Sequence, residues 1–178
     1  IWNPRTGLCL QTLNGHTNEV SSLSFHPHKK NQLTSGSWDS TIKTWDTESG
    51  QCQQTLKGHT NRITCLAHNA DGTQFASGSW DNTIKLWDTE SGQCQQTLKG
   101  HTHAILCLAY NANGTQFASG SYDETIKFWR KATVTEQLIM ADMKHHEITT
   151  HEQLPAHMQE TFDTIPEQSR NLKYGLQG

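Results

Sequence analysis

The chain has 178 residues, a net charge of −3 and 33 % hydrophobic residues, which suits one sizeable domain. No apolar run is long enough to span a bilayer as a helix, and no stretch reads as a secretory signal. Residues 1–130 carry ten basic and ten acidic side chains and residues 131–178 carry four and seven. That distribution lacks the clustered basic charge of a nucleic-acid footprint.

In chain order, Ile1-Trp2-Asn3 stands 43 residues before Thr44-Trp45-Asp46. The chain therefore opens inside a repeat, as a piece of a longer protein or a trimmed chain does. An outer strand is expected at Leu8–Leu13. After Gly15-His16, the residues predict strands at Val20–Phe25, Leu33–Ser37, Thr41–Trp45 and Cys52–Leu56. The next set is Ile63–His68, Gln74–Ser79, Thr83–Trp87 and Cys94–Leu98. The last is Ile105–Tyr110, Gln116–Ser121 and Thr125–Trp129. Alternating residues such as Ile84, Lys85 and Leu86 give these strands two different faces. Asp71-Gly72 and Asn113-Gly114 are hairpin signals for tight two-residue turns. The loop His26–Asn31 is one residue longer than its counterparts. Past Trp129 the pattern stops. Val134, Leu138, Ala141 and Ile148 favour a helical face over a degenerate outer strand at Thr133–Met140. Pro155 and Pro166 divide the tail, with short helices expected near 156–163 and 167–174.

The punctuation is periodic. Gly15-His16, Gly58-His59 and Gly100-His101 open the repeats, and Trp45-Asp46, Trp87-Asp88 and Trp129-Arg130 close them. The histidines are 43 and 42 residues apart and the tryptophans 42 and 42. Such a period with these dipeptides reads as one four-stranded blade per repeat. Over residues 1–130 the chain resembles the WD-repeat β-propeller family. The fold expected is all-β: a partial propeller of three four-stranded blades, at about 15–56, 58–98 and 100–130, preceded by a partial repeat at 1–14. A short helical tail follows at 131–178.

The resemblance implies a hydrogen-bonded tetrad in each blade. These are His16, Ser35, Asp39 and Trp45; then His59, Ser77, Asp81 and Trp87; then His101, Ser119, Asp123 and Trp129. A buried Trp N–H needs an acceptor, and Ser, His and Asp can extend that bond as a chain. The same residue types make a hydrolase triad. An enzyme needs one such site, however, and here three copies lie within strands. The tetrads are therefore read as structural, and no catalytic residue is expected.

By position, the resemblance places partner-binding residues on the face where the Gly-His loop enters. Those are Glu19, Ser21 and Trp38 in the first blade, Arg62, Thr64 and Trp80 in the second, and Ala104, Leu106 and Tyr122 in the third. Trp38, Trp80 and Tyr122 form an aromatic row with Arg62 between, and these residue types are enriched at interface hot spots. The alternative for the row is sideways packing between blades. The expected function is a non-catalytic interaction scaffold that binds a protein or peptide. The rival reading is a targeting arm of a larger enzyme.

No cofactor or metal is expected, since His145, His146 and His151 lack completing ligands. The five cysteines sit at duplicated positions, which favours core or strand roles, reduced thiols and a cytoplasmic setting over a disulfide framework. Asn113-Gly114-Thr115 is read as a turn and not as a glycosylation site. Three blades do not close a ring. Upstream repeats of a longer protein are the favoured closure. A homodimer closing a six-bladed ring is the other, with Leu8–Leu13 of one chain completing the last blade of its partner.

Overall fold

The computed structural model describes residues 3–130 and, beyond them, Gln159. The chain divides after Trp129 into two units. Of the helix expected near 156–163 only Gln159 is described, and it is helical; the helical face at 134–148, the helix near 167–174, and His145, His146 and His151 lie outside the described residues.

Residues 3–130 are all-β. β1 (Val20–Phe25), β2 (Gln32–Ser37), β3 (Thr41–Asp46) and β4 (Cys52–Lys57) form one antiparallel sheet in sequence order. β5 (Ile63–His68), β6 (Gln74–Ser79), β7 (Ile84–Asp88) and β8 (Cys94–Leu98) form a second in the same order. β9 (Ile105–Tyr110), β10 (Gln116–Ser121) and β11 (Ile126–Arg130) form a third, three-stranded among the described residues. Each sheet is one blade.

Two expectations are corrected. Leu8–Leu13 forms no strand, and only Cys9 makes an isolated bridge. An outer strand needs an inner neighbour for its backbone groups, and none of the described strands pairs with Leu8–Leu13. The turns at Asp71-Gly72 and Asn113-Gly114 are also wider than two residues. Gly72 N–H bonds the Asn69 carbonyl at 3.1 Å, and Gly114 N–H bonds that of Asn111 at 3.0 Å. Only the glycine takes positive φ, at 72° and 69° respectively.

The core lies between blades. Ile42 and Leu56 of the first blade pack with Ile63, Leu66, Phe75 and Trp87 of the second. Each blade thus has a leading face, bearing its Trp, and a trailing face, bearing residues such as Ile42. Close approach depends on the glycine of the second strand. A Cβ on Gly36 would lie 2.6 Å from Ile63 Cγ2, and one on Gly78 would lie 2.6 Å from Ile105 Cγ2.

A β-bulge strengthens each seam. Ser21 is skipped between the pairs Val20–Ser37 and Ser22–Gly36. Thr64 is skipped likewise. The extra residue re-aims its side chain. Ser21 Oγ donates to the Ile63 carbonyl of the next blade, and Thr64 Oγ1 donates to the Ile105 carbonyl at 2.5 Å. Leu106 occupies the same bulge in the third blade, where it has no hydroxyl to donate.

Among the described residues, the outer faces of the first and third blades keep apolar side chains exposed. Ile84 on β7 is 1 % exposed, whereas its counterpart Ile126 is 71 % and Phe128 is 75 %. On the leading face of the first blade Leu23 is 61 % exposed, against 8 % for Leu66. Val20 and Phe25 are exposed beside it.

Candidate functional site

Each blade holds its four polar residues in one chain of hydrogen bonds. In the second blade Trp87 Nε1 donates to Ser77 Oγ at 2.8 Å, Ser77 Oγ meets His59 Nε2 at 2.7 Å, and His59 Nδ1 meets Asp81 Oδ2 at 2.7 Å. The first blade repeats this with Trp45, Ser35, His16 and Asp39, and the third with Trp129, Ser119, His101 and Asp123. With Asp as acceptor, His carries its proton on Nδ1 and accepts the Ser hydroxyl at Nε2. Every group then has a partner. The Gly of the Gly-His pair is explained by the same packing: a Cβ on Gly58 would press within 3.0 Å of the Trp87 ring.

The aspartates anchor the loops as well. Asp81 Oδ2 also accepts Thr60 N–H, while Oδ1 accepts the Thr83 N–H and hydroxyl. Burial alone would raise the Asp81 pKa. The bonds from His59, Thr83 and Thr60 outweigh it and hold the carboxyl well below the usual range. Asp39 and Asp123 are depressed by the same balance of burial against hydrogen bonds.

The order Ser–His–Asp matches a hydrolytic triad, but the chemistry does not follow. Ser35, Ser77 and Ser119 are buried, and each Oγ accepts a Trp N–H. A nucleophile must reach substrate beside its base. These hydroxyls do not.

The expected face residues divide into two groups. Trp38, Arg62, Trp80 and Tyr122 come together. The Arg62 guanidinium lies 4.2 Å from the Trp38 ring centre and 5.5 Å from that of Trp80. Trp80 meets Tyr122 edge-on, with centroids 6.3 Å apart and planes at 78°. Backbone bonds fix the row: Trp38 N–H to the Glu19 carbonyl, Trp80 to Arg62, and Tyr122 to Ala104. Arg62 thus fills the space between two indoles. Ala104, small and buried at the equivalent position, lets Trp80 and Tyr122 touch.

The second group lies in the seams. Thr64 and Ser21 have their hydroxyls bonded to the neighbouring blade, and Leu106 is exposed in the third blade. Glu19 is exposed on the face, beside Trp38.

Sequence reasoning missed a histidine cluster between the first two blades. His26 and His68 have ring centres 5.6 Å apart. His26 Nδ1 accepts the N–H groups of His28 and Lys29, His28 Nε2 bonds the Ala70 carbonyl, and Ser24 Oγ bonds His68 Nδ1. Burial, aided by the charge of His26, lowers the His68 pKa to about 4. The one available signal was His26 itself, which stands where the other blades have Asn69 and Asn111. The five cysteines are free. Cys65 alone is buried, and burial pushes its pKa up to about 11. Cys9, Cys52, Cys94 and Cys107 are exposed, not core residues.

The model of the family described as "WD domain, G-beta repeat" matches residues 7–46, 50–88 and 92–130. The chain belongs to the WD-repeat family. WD repeats serve as protein-interaction scaffolds, and the family points to a non-catalytic role. Over 43 residues the chain is 49 % identical to the Periodic tryptophan protein 2 homolog of Schizosaccharomyces pombe. That match covers 24 % of this chain and 5 % of the relative. The Caenorhabditis elegans and Mus musculus homologs are 46 % and 44 % identical over the same length, covering 24 % of this chain and 4 % and 5 % of theirs. These matches reach one WD repeat's length and support a general WD-repeat role.

Proposed function

We propose that this WD-repeat unit is a non-catalytic platform whose Gly-His-loop face binds a protein or peptide partner. The observation that carries this is the row Trp38–Arg62–Trp80–Tyr122, held by backbone bonds yet exposed at Trp38, Trp80 and Tyr122. Pre-ordered aromatic and Arg side chains bind with little further loss of conformational freedom. The tetrads beneath keep the loops rigid. Glu19 borders the row. The test is selection of peptides from a random display library on the 178-residue chain. Trp80→Ala with Tyr122→Ala should weaken the selected peptides by at least about tenfold while the melting temperature holds. Undiminished binding in that variant would move the site off this row.

The open flanks support a second proposal, about assembly. Val20 and Leu23 at one end, and Ile126 at the other, stand where the internal seams bury their counterparts Ile63, Leu66 and Ile84, and Phe25 and Phe128 are exposed beside them. Further blades cover them, supplied by a longer chain or, for these 178 residues alone, by a second copy closing a six-bladed ring. Free thiols at all five cysteines support a reducing, cytoplasmic setting.

A further inference from the structure

The Arg62 clamp carries more than a general binding face. Trp38 and Trp80 both hold its guanidinium carbon over their rings, at 4.2 and 5.5 Å. Its side chain makes no hydrogen bond or ion pair among the described residues. The charge is half-buried. A guanidinium held over two aromatic rings still presents a fork of N–H donors. That fork matches a carboxylate or phosphoryl group, held by two parallel charge-assisted bonds.

The neighbours limit how much negative charge the site accepts. Ala104, the counterpart of Arg62 in the next blade, brings no second cation. Glu19, its counterpart in the preceding blade, brings an anion to the Trp38 side. A polyanion needs several cations along its track, and residues 1–130 are balanced at ten basic and ten acidic side chains. The row therefore fits one acidic group between apolar contacts on Trp38 and on Trp80 with Tyr122.

We propose that the partner of this face is a peptide segment presenting a single acidic side chain, carboxylate or phosphoryl, to the Arg62 guanidinium edge, with uncharged side chains on the flanking aromatics. This rests on the peptide-binding reading of the row. It assigns to Arg62 the choice of partner and to the aromatics the bulk of the contact.

The experiment uses the 178-residue chain and a peptide array with matched acidic, phosphoserine, amide and basic members. Selected peptides should share one acidic position. Replacing that acid by its amide should weaken binding at least about tenfold. Arg62→Gln should weaken the acidic peptide equally and leave the amide peptide within about twofold. Arg62→Lys, a point charge without the planar fork, should recover only part of the loss. The phosphoserine arm separates a phosphoryl partner from a carboxylate one. Circular dichroism of Arg62→Gln checks the fold. Peptides selected without an acid, still dependent on Trp80 and Tyr122, would overturn this inference and leave the binding face standing. No peptide dependent on the row would remove both. A fluorescein-labelled single-stranded oligonucleotide bound tightly, with steep salt dependence and loss in Arg62→Gln, would overturn it in favour of nucleic acid.

Discussion

His59 illustrates how one side chain can hold two segments that are far apart in the chain. Its ring joins Ser77 on β6 to Asp81 in the following turn, with both bonds at 2.7 Å. His59→Ala removes one of the bonds made by the Ser77 hydroxyl and one of the two at Asp81 Oδ2, in a buried site. Urea unfolding should show a loss of about 1–3 kcal/mol. A variant as stable as the parent would mean the network adds nothing. The turns make a second residue-scale prediction. Ser40 and Glu124 sit at φ 67° and 66°, where glycine has no Cβ penalty. Ser40→Gly and Glu124→Gly should each stabilise the chain by about 0.5 kcal/mol, the left-handed strain relieved less the added freedom of the unfolded chain. A drop in melting temperature in both would reverse this account. The tetrads were legible in the sequence because each of the four positions demands one type of chemistry and recurs at one spacing. The Arg62 clamp was legible only as a row of types. That Arg62 separates two indoles while Ala104 lets the next pair touch depends on how neighbouring blades twist together.

At the scale of strands and seams, the strand positions could be read from alternation and turn residues. The bulges at Ser21 and Thr64 could not. The extra residue shifts the phase of a six-residue strand beside its first position, too short a run to read, and it turns a hydroxyl towards the next blade. Gly78 and Gly120 provide a matched comparison. A Cβ on Gly78 meets both Cys65 Sγ and Ile105 Cγ2 at 2.6 Å, whereas one on Gly120 meets only Cys107 Sγ at 2.7 Å. Gly78→Ala should cost about 1–3 kcal/mol by overpacking the seam, and Gly120→Ala clearly less. Equal losses in chemical denaturation would show that the neighbouring blade does not limit Gly78. The seam between the first two blades should also respond to acid. His68 is neutral when folded, its pKa about 4 against 6.5 for the ordinary group. As pH falls from 6.5 to 4, the unfolded chain takes up a proton that the folded chain refuses. Stability present above 6.5 is therefore lost across that window, by up to about 3 kcal/mol. His68→Phe, which places there the residue type of Phe25, should flatten the pH dependence between 6.5 and 4. Below that window the depressed Asp39, Asp81 and Asp123 continue the loss as they protonate. A variant with an unchanged slope would assign the acid response to other groups.

Among the described residues, the three blades leave apolar side chains exposed on the outer faces of the first and the third. Each outer face presents side chains that the internal seams bury, so water meets an apolar flank on both. The 178-residue chain should self-associate, and light scattering should give a mass above its 20.0 kDa. Phe25→Asp with Phe128→Asp should return it to 20.0 kDa. A wild-type chain already at that mass would show that the flanks do not drive association. The outer strands raise a different question. The stretch WDTESGQCQQTLKGHT stands at both 45–60 and 87–102, and it contains β4 and β8. Their acceptor edges are nearly alike too, TIKTWD at 41–46 and TIKLWD at 83–88. Side-chain chemistry therefore cannot tell β4 from β8, and only the short link to the preceding strand assigns each to its slot. Between two molecules that link no longer discriminates. Concentrated refolding mixtures should trade outer strands between chains, so refolding yield should depend on dilution even where native stability does not.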